Sequence, residues 1–430
     1  MPSTALKTDR YELTMLEAAM LSGRHERDCV FEVFTRRLPP GRRYGVVAGS
    51  GRLVELIEAF RFGDGELAWL RDHDVVGPAA LDWLADYRFR GSISGYREGE
   101  LFFPGSPLLR LDGTFADAVI LETLTLSVLN YDSAVASAAS RMVQAAAGRP
   151  IAEMGSRRTG EASAVAAARA AFIAGFAATS NLEAGRSWGV PTMGTAAHSF
   201  TLLHDSEEEA FAAQVEALGP GTTLLVDTYD IERGVETAVR VAGTGLGAVR
   251  IDSGDLPVVV REVRAQLDRL GARDTRITVT NDLDEHAIAA LASAPVDSYG
   301  VGTSVVTGAG HPASGMVFKL VARRDDAGEW VSVAKTSEAK VGVGGRKIPV
   351  RTLRDGIAVA ETIHVEESPD ESAGRLLEIA YVRDGIIEEC VRGAAGTAAA
   401  REHHRRAIGE LPLDALRLSR GDAAIPTVYV

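Results

Sequence analysis

Four segments of the chain, LLVDTYD (224–230), AVRIDSGD (248–255), ITVTNDLD (277–284) and VDSYGVGTS (296–304), share one pattern. In each, an apolar run ends in a small polar or acidic cluster, and a helix-like segment follows. Buried parallel strands appear in a sequence as apolar runs, and in an α/β barrel their carboxyl ends open on one face. The pattern therefore predicts a barrel whose strand ends converge on one site, and it indicates an enzyme.

The composition is typical of a soluble globular protein with two domains. The 430 residues are 46% hydrophobic and 24% charged, which is enough for a barrel-sized core and a second domain. The formal net charge is −13 and the basic residues form no long block, which argues against nucleic acid as a partner. The two cysteines, Cys29 and Cys390, lie far apart without CxxC spacing, so they support neither a disulfide framework nor a zinc site.

Nothing in the sequence predicts secretion or membrane insertion. The N-terminal segment MPSTALKTDRYELTML has no continuous apolar core of the kind that signal peptides contain. No apolar stretch reaches the roughly 18 residues of a membrane span. The alanine-rich run at 164–178 comes closest, but Arg169 interrupts it. We expect a cytoplasmic protein, and the scarcity of cysteine fits a reducing compartment.

The order of elements predicts an N-terminal domain followed by the barrel. Residues 1–128 begin with a helix from Thr8 or Asp9 and contain a β-prone segment at 88–112 that indicates a small antiparallel sheet. A nearly unbroken helical pattern over 116–147 leads into residues 129–315, where strands and helices alternate as in a barrel. One of the strand-like runs predicted there is VPTMGTAAHS (190–199).

Residues 316–430 are predicted to return to the first domain. Three hairpin-like segments are expected to join its sheet: MVFKLVARR (316–324), WVSVAKTS (330–337) and KIPVRTL (347–353). From about Thr397 the tail is helical and charged. We interpret His403 and His404 in this tail as solvated surface residues.

Two of the strand-end clusters offer groups that suit phosphate and sugar. GVGTS (300–304) supplies backbone N–H groups and two hydroxyls, as a phosphate cradle does, although a glycine-rich turn is also an ordinary structural feature. In RIDSGD (250–255), Asp255 is compatible with capping the next helix. Asp252 lies at the barrel mouth, where a carboxylate needs a metal, a hydroxyl or a cation, so a diol-binding or Mg²⁺-linked role is reasonable.

The neighbouring clusters repeat the acidic strand end. Asp227 and Asp230 belong to the first cluster, and Asn281 and Asp282 belong to the third. Each pair alone favours helix capping. Three adjacent acidic strand ends favour a functional site instead.

Two further candidates lie upstream of these clusters. EMGSRRTGE (153–161) places Arg157 and Arg158 at a strand-to-helix turn, where a guanidinium matches a carboxylate or phosphate. A solvated surface pair is the alternative, and because adjacent side chains diverge we choose Arg157. His198 ends the apolar run of MGTAAHSF, directly before Ser199, and is compatible with a base, a nucleophile or a hydrogen-bonded structural residue.

Six motifs in this order make the chain resemble the nicotinate phosphoribosyltransferases: TDRYELTM, EMGSRR, GTAAHSF, LLVDTYD, VRIDSGD and GVGTS. The match spans roughly Thr8 to Lys319, and the joint order is more specific than any one motif. The resemblance implies transfer of a phosphoribosyl group from phosphoribosyl diphosphate to nicotinate, giving nicotinate mononucleotide and diphosphate for NAD synthesis. It also implies coupling to ATP hydrolysis, which classes the activity with the ligases, and Mg²⁺ as cofactor.

The resemblance implies a fold and an assembly as well. The family fold is an irregular TIM-like α/β barrel of the type II phosphoribosyltransferases. An N-terminal α+β open-sandwich domain, completed by C-terminal segments, accompanies the barrel. The expected assembly is a homodimer with active sites at the subunit interface.

The resemblance assigns roles residue by residue. His198 is the residue that ATP would phosphorylate, as a transient phosphohistidine, and Asp252 would stabilise the positive charge that develops at the anomeric carbon. Tyr11, contributed by the other subunit, would stack on the pyridine ring, and Arg157 would neutralise the nicotinate carboxylate. The remaining substrate and metal contacts are expected from Asp9, Ser199, Arg250, Gly302, Thr303, Lys319 and, for Mg²⁺, Asp282.

Within this assignment, Gly302 and Thr303 would take the 5′-phosphate through their backbone. Arg250, Lys319 and Asp282 are expected in the phosphate, diphosphate and metal region. Met154 stands where a related nicotinamide-specific family carries an aromatic residue, so the second face of the base has no obvious stacking partner. The chain also has no C-terminal cysteine cluster of the kind that some family members carry.

Two alternatives remain at this stage. One is transfer to nicotinamide, whose amide would want an acceptor, whereas Ser199 and the arginines supply donors that favour the acid. The other is a barrel that binds phosphates or nucleotides without catalysis. Quinolinate is a weaker candidate because its second carboxylate calls for more basic residues.

Overall fold

The computed structural model describes residues 3–335, 342–370 and 374–430. They form two compact units. Unit 1 comprises Met1–Ser137 and His311–Val430, and unit 2 comprises Ala138–Gly310. Unit 1 is thus built from two separate stretches of the chain, whereas unit 2 is one continuous stretch.

Helices and short strands alternate irregularly in the first 145 residues. In order they are α1 (Arg10–Leu21), β1 (Asp28–Thr35), β2 (Gly45–Val46), α2 (Ser50–Glu58), α3 (Asp64–Asp72), α4 (Pro78–Ala85), β3 (Ser92–Tyr96), β4 (Leu101–Phe102), β5 (Pro107–Thr114), α5 (Phe115–Val119) and α6 (Glu122–Ala145). The predicted first helix is confirmed, with Asp9 as its extended N-cap residue.

The helical pattern predicted over 116–147 is divided into two helices. Helix α5 starts with its first turn capped by the Thr114 side chain, which accepts from the Asp117 N–H. It ends at Val119, where the Leu121 N–H bonds to the Ala118 carbonyl in a tight turn instead of continuing the helical ladder. An apolar periodicity alone does not reveal such a turn.

Strands and helices alternate through most of unit 2. In order they are β6 (Ile151–Glu153), α7 (Glu161–Ile173), β7 (Ala178–Thr179), α8 (Leu182–Trp188), α9 (His198–Leu203), α10 (Glu207–Leu218), β8 (Thr223–Leu225), α11 (Ile231–Ala242), β9 (Ala248–Ile251), α12 (Leu256–Arg269), β10 (Arg276–Val279), α13 (Glu285–Ala290), β11 (Ser298–Val301) and α14 (Thr303–Val306). Three successive helices lie between β7 and β8.

The strands of unit 2 form one parallel sheet in the order β7-β6-β11-β10-β9-β8. This is a half-barrel with helices between successive strands, and it confirms the predicted α/β class. The four strands β8 to β11 coincide with the apolar runs from which the fold was predicted. Their side chains are mostly buried, which explains why they appear as continuous apolar runs in the sequence.

One predicted run, VPTMGTAAHS (190–199), forms only an isolated bridge between Thr192 and Thr179. Pro191 has no N–H to donate to a ladder, which limits this segment as a strand. His198 consequently does not end a strand, as its sequence context suggested, but is the first residue of α9.

The C-terminal stretch completes unit 1 with strands and one long helix. In order the elements are β12 (Met316–Arg324), β13 (Trp330–Ser332), β14 (Lys347–Arg354), β15 (Ile357–Val365), β16 (Arg375–Leu376), β17 (Glu378–Arg383), β18 (Ile386–Ile387), α15 (Gly393–Gly409) and β19 (Thr427–Tyr429). Short 3₁₀ turns lie at Glu389–Val391 and Leu413–Leu416.

The returning strands contribute to two sheets of unit 1 and not to one. Strands β12 and β13 join the predicted antiparallel sheet, whose order is β13-β12-β1-β5-β3-β17-β18. Strand β14 lies instead in a separate sheet of order β16-β14-β15-β19, so the prediction for KIPVRTL was wrong on this point. Buried Lys347 of β14 pairs with buried Glu32 of β1 at 2.9 Å. The last two residues of WVSVAKTS lie outside the described residues.

The prediction that His403 and His404 are solvated was wrong. His404 is 4% exposed, and its Nδ1 lies 2.9 Å from the Gly99 carbonyl oxygen. His403 Nε2 lies 2.8 Å from a carboxylate oxygen of Glu100, which is fully buried. Burial lowers the pKa of His404 to about 4. A charged helix can still bury one face, and the composition of α15 does not show which one.

Among the described residues, no helix combines the length and the apolar character needed to cross a bilayer.

Candidate active site

The polar strand ends of unit 2 meet at one edge of the parallel sheet. Strand β10 lies between β9 and β11, with Thr278 opposite both Arg250 and Ser298. Strand β6 lies on the other side of β11, with Glu153 opposite Val301. The segments that follow these strands therefore emerge side by side.

A pocket of about 190 Å³ opens at this edge. Its lining includes most of the unit 2 residues that the sequence singled out: Arg157, Arg250, Asp252, Asp282, Gly302 and Thr303. It is a predominantly polar cavity with both cationic and anionic side chains, which suits a charged phosphorylated ligand. Ser199 lies outside this lining, on the exposed side of α9.

Asp252 occupies a mixed environment in the pocket. Its Oδ1 accepts a hydrogen bond from Thr280 Oγ1 and lies 3.5 Å from Arg250 Nη2. Its Oδ2 is directed away from these partners and lies 4.0 Å from His198 Nε2. The side chain is 34% exposed. One carboxylate oxygen is therefore anchored, and the other faces the open part of the site.

Arg250 is held by three neighbours on its inner side. Its Nε donates to Thr280 Oγ1 at 3.0 Å, and its Nη1 donates to Thr195 Oγ1 at 3.1 Å and to the Ala196 carbonyl at 3.3 Å. Those bonds fix the plane of the guanidinium. Its charge is then presented to Asp252 and to the pocket.

His198 is oriented by a hydroxyl and faces two carboxylates. Its Nδ1 lies 3.2 Å from Thr228 Oγ1. Its Nε2 lies 3.9 Å from Asp227 Oδ1 and 4.0 Å from Asp252 Oδ2. These distances are too long for hydrogen bonds, so Nε2 is held near negative charge without being occupied.

Asp227 is a site residue that the sequence argument counted among the acidic strand ends but to which it gave no role of its own. Its side chain is 1% exposed, and its Oδ2 accepts from the Asp252 N–H at 2.8 Å and from Ser253 Oγ at 2.7 Å. Its Oδ1 has no hydrogen-bond partner among the described residues. The capping role in LLVDTYD belongs instead to Asp230, which accepts from the Arg233 N–H. In the sequence, Asp227 directly follows the apolar run and stands three residues before that cap, too early to cap the helix itself.

Glu207, the first residue of α10, adds a further carboxylate that sequence reasoning missed. Its pKa is raised to about 7, first by burial and then by the negative charges of Asp230 and Asp227. Its Oε1 is buried and has no hydrogen-bond partner among the described residues. The mouth near His198 is therefore rich in negative charge.

The loop after β6 carries two arginines into the pocket. Both Arg157 and Arg158 line it, and both side chains are exposed. The Arg158 N–H bonds to the Gly155 carbonyl at 2.8 Å, which closes the loop into a turn. The sequence argument chose Arg157 alone, whereas both guanidinium groups line the pocket.

The glycine-rich segment GVGTS (300–304) runs from the end of β11 into α14, and Gly300, inside β11, has no room for a side chain. A Cβ on Gly300 would lie 2.6 Å from Thr280 Cγ2 and 2.7 Å from Met154 Sδ. Gly302 precedes the short helix α14, which begins at Thr303. Close packing by glycine leaves the backbone of this segment accessible to a ligand in the pocket.

The segment after β10 has an unusual backbone. Asn281 and Asp282 both have positive φ, 122° and 39°. They do not cap the next helix, because Asp284 does so by accepting from the N–H groups of His286 and Ala287. The left-handed backbone turns exposed Asp282 toward the pocket that it lines.

Unit 1 gathers the other three predicted residues around one carboxylate. Glu122, which sequence reasoning did not select, is influenced by the charges of Lys319 and Asp9 and by a side-chain hydrogen bond with Tyr11. Burial, followed by the charge of Glu122, raises the pKa of Tyr11 to about 12. The Tyr11 side chain is nevertheless 46% exposed, so its ring remains available for stacking.

The described residues contain no cluster of three or more His, Cys, Asp or Glu side chains that could hold a metal ion. Asp252 and Asp282 share the pocket but are only two carboxylates. That donor set matches the way Mg²⁺ is bound together with substrate phosphates, through one or two carboxylates.

Comparison with known proteins decides the family. The chain is 54% identical over 435 residues to a nicotinate phosphoribosyltransferase of Mycobacterium tuberculosis, and the alignment covers 98% of this chain and 94% of the relative. The chain belongs to the nicotinate phosphoribosyltransferase family. This confirms the resemblance that the six motifs indicated.

Other nicotinate phosphoribosyltransferases agree. The family model of the nicotinate phosphoribosyltransferase N-terminal domain matches residues 6–130. A Bacillus subtilis nicotinate phosphoribosyltransferase is 37% identical over 362 residues, covering 82% of this chain and 74% of the relative. The crystal structure of human nicotinic acid phosphoribosyltransferase superposes with a TM-score of 0.82 at 26% identity, covering 98% of this chain and 97% of the human one. The predicted type II phosphoribosyltransferase fold is thus confirmed.

Proposed function

We propose that the chain is a nicotinate phosphoribosyltransferase that makes nicotinate mononucleotide and diphosphate for NAD synthesis and couples the transfer to ATP hydrolysis. The observation that carries the proposal is the position of Asp252. One of its oxygens is anchored beside Arg250, and the other lies 4.0 Å from His198 Nε2. A charge-stabilising carboxylate and a nucleophilic ring nitrogen thus share one site.

The two arginines support a substrate base that carries a carboxylate. A guanidinium donates to a carboxylate through two parallel hydrogen bonds, and Arg157 and Arg158 both line the pocket. The amide of nicotinamide would meet donors with its own NH₂ group, leaving a mismatch. The base is accordingly nicotinate.

The phosphate end of the substrate would lie against the glycine-rich segment. The backbone of Gly302 and Thr303, at the start of α14, would offer N–H donors for the 5′-phosphate. Arg250, whose guanidinium is fixed by Thr280 and Thr195, would supply a cation to the same phosphate. In this proposal the ribose would lie between the glycine-rich segment and Asp252.

In the transfer step, the bond between the anomeric carbon and the diphosphate oxygen breaks, and its electron pair leaves with diphosphate. The lone pair of the pyridine nitrogen forms the new bond to that carbon. Asp252, whose Oδ2 is not held by Arg250 or Thr280, would stabilise the developing positive charge electrostatically. The unprotonated ring nitrogen needs no general base.

Mg²⁺ would be held by Asp282 together with the diphosphate oxygens, and it would neutralise the charge of the leaving group. Asp282 lines the pocket on a left-handed backbone that leaves its carboxylate exposed. The remaining ligands would be substrate oxygens and water.

ATP coupling would proceed through His198. Thr228 holds Nδ1 at 3.2 Å, which leaves the Nε2 lone pair free to attack the γ-phosphorus. A nitrogen–phosphorus bond forms as the bond to ADP breaks, and ADP leaves with the electron pair. The phosphoryl group would then face the carboxylates of Asp227 and Asp252, whose repulsion favours its later hydrolysis.

The homodimer is part of the same proposal. Tyr11, Asp9 and Lys319 would serve the active site of a second copy, with the exposed Tyr11 ring stacking on the pyridine. Analytical ultracentrifugation should give a sedimentation coefficient of a dimer. A monomer with full activity would contradict this part.

The deciding experiment measures diphosphate release from phosphoribosyl diphosphate with nicotinate or nicotinamide, each with and without ATP. We expect turnover with nicotinate, faster with ATP, and little with nicotinamide. Preference for nicotinamide would point to the rival transfer, and no release with either base would point to a barrel that only binds.

A second experiment isolates the phosphohistidine. Incubation with γ-labelled ATP should give an acid-labile phosphoprotein, and the His198→Asn variant should not be labelled. The His204→Asn variant is the matched control, because His204 lies in the same segment with its Nδ1 near the Phe200 carbonyl. Undiminished labelling of His198→Asn would remove His198 from this role.

A further inference from the structure

A buried carboxylate that the proposed mechanism does not use belongs to the residue directly before Met154, which lines the pocket. Glu153 is the last residue of β6 and is 0% exposed. Its Oε1 accepts from the Gly155 N–H, and its Oε2 accepts from Thr179 Oγ1 at 2.5 Å. Both partners are uncharged donors, and burial raises the pKa of Glu153.

These bonds belong to a closed ring that joins two loops. Thr179 Oγ1 also accepts from the Asn181 N–H at 3.0 Å. Asn181 Nδ2 donates to Ser156 Oγ at 3.0 Å, on the loop that carries the two pocket arginines. Asn181 Oδ1 in turn caps helix α8 by accepting from the Ala184 N–H. The arginine loop is thus tied to the segment after β7 at both ends of the ring.

The ring also sets the position of the glycine-rich segment. Gly155 packs so closely that a Cβ there would lie 2.3 Å from Val306 Cγ1 and 2.9 Å from the Gly302 carbonyl oxygen. The Met154 N–H bonds to the Val301 carbonyl at 2.8 Å. A shift of Gly155 would therefore move the segment that faces the phosphate.

A carboxylate suits this position better than an amide would. Because Thr179 Oγ1 already accepts from Asn181, its own proton is directed at Glu153. Gly155 presents a second N–H, so both neighbours are donors, and two acceptor oxygens are required. A glutamine would place its NH₂ against one of these donors.

We propose that Glu153 is a positioning residue that holds the arginine loop and the glycine-rich phosphate segment in register for substrate binding. It acts through Gly155 and Thr179 and does not touch the substrate. The kinetic test of this inference rests on the proposed function. The inference itself concerns only how Glu153 positions the loops that form the pocket.

The test compares Glu153→Gln and Thr179→Val with Thr179→Ser, which keeps the hydroxyl. We expect the first two to raise KM for nicotinate and for phosphoribosyl diphosphate roughly tenfold, since small misplacements of binding groups are costly. Thr179→Ser should stay within about twofold of the wild type because its hydroxyl can still donate to Glu153.

A matched control separates positioning from stability. Gln214 is also buried in unit 2, and its Nε2 donates to Thr222 Oγ1 and to the Thr223 carbonyl at the opposite end of the sheet. Gln214→Ala should lower the unfolding temperature and leave both KM values unchanged. Unchanged KM values in Glu153→Gln and Thr179→Val, with an active wild type, would overturn the proposal.

A binding measurement keeps this test independent of turnover. Phosphoribosyl diphosphate is titrated calorimetrically into the wild type and each variant. Weaker binding in Glu153→Gln and Thr179→Val than in Gln214→Ala supports positioning even if nicotinate is not the substrate, and equal Kd values refute it. Failure of the proposed function alone would instead appear as an inactive wild type that still binds phosphoribosyl diphosphate.

Discussion

The buried carboxylate of Asp227 accepts a hydrogen bond from the backbone N–H of Asp252 at 2.8 Å. A residue at the end of β8 thereby fixes the start of the loop that follows β9. Its second oxygen lies 3.9 Å from His198 Nε2. Asp227 is therefore connected to both residues on which the proposed chemistry depends.

Replacing Asp227 should impair turnover more than folding. We expect Asp227→Ala to lower kcat by about a hundredfold, since it frees the Asp252 backbone and removes a charge beside His198. Asp230→Ala is the control. Asp230 caps a helix, so its loss should cost about 1 kcal/mol of stability, but it should leave the Asp252 backbone in place. Steady-state kinetics and thermal unfolding of both variants check this, and an Asp227→Ala enzyme with normal kcat would contradict it.

Asp252 should carry the largest single effect on the transfer step. Asp252→Ala is expected to reduce kcat at least about a hundredfold, because the charge at the anomeric carbon loses its stabilising carboxylate. Asp255→Ala provides the comparison, since Asp255 is an N-cap residue without a side-chain capping bond and should have little effect. Near-normal turnover by Asp252→Ala would remove it from the mechanism.

The two pocket arginines can be distinguished by KM. We expect both Arg157→Ala and Arg158→Ala to raise KM for nicotinate. The larger rise, ten- to hundredfold or about 1.4 to 2.8 kcal/mol, should belong to the arginine that binds the carboxylate. Arg186→Ala should be neutral, because Arg186 is exposed and paired with Glu183 on the surface. If neither pocket variant changed KM, recognition of the carboxylate would have to lie elsewhere.

Glu207 should make stability depend on pH near neutrality. Because the pKa of Glu207 is raised to about 7 from its ordinary value of 4.5, its contribution to stability is present below pH 4.5 and is lost as the pH rises through 7. Glu207→Gln should therefore stabilise the protein above pH 7 by on the order of 1 kcal/mol, a value already reduced for solvent screening.

Chemical denaturation at pH 5 and pH 8 measures this difference. The gain of Glu207→Gln over the wild type should be larger at pH 8 than at pH 5. Glu209→Gln, an exposed neighbour on the same helix, should show no such dependence. An equal gain at both values of pH would show that Glu207 does not titrate in this range.

The sequence revealed the half-barrel because its strands are short and buried on both faces. Strands β8 to β11 therefore appear as apolar runs, each followed by a polar cluster. The segment near Thr192 was misread as a strand because Pro191 removes a donor without changing the apolar appearance. Strand β14 was assigned to the wrong sheet because an alternating pattern predicts a strand but does not indicate with which strand it pairs.

The candidate site divides in the same way. Arg250, Asp252 and Thr303 were visible because they lie directly at strand ends, where the fold itself predicts convergence. Glu153 and Asp227 also lie at strand ends, but their roles were not visible because these depend on hydrogen bonds to residues distant in the sequence, such as Thr179 and Ser253. Such contacts join residues about 26 positions apart and leave no periodic trace in the sequence.

The two-stretch construction of unit 1 has a consequence for synthesis on the ribosome. Every strand of the parallel sheet has been made once Gly310 has been added, so unit 2 can fold while the chain is still growing. Strand β1, by contrast, must wait for β12, whose Met316 pairs with Thr35. Its edge stays open during that interval, and a nascent chain that stalls before residue 316 presents this edge to chaperones or to other nascent chains.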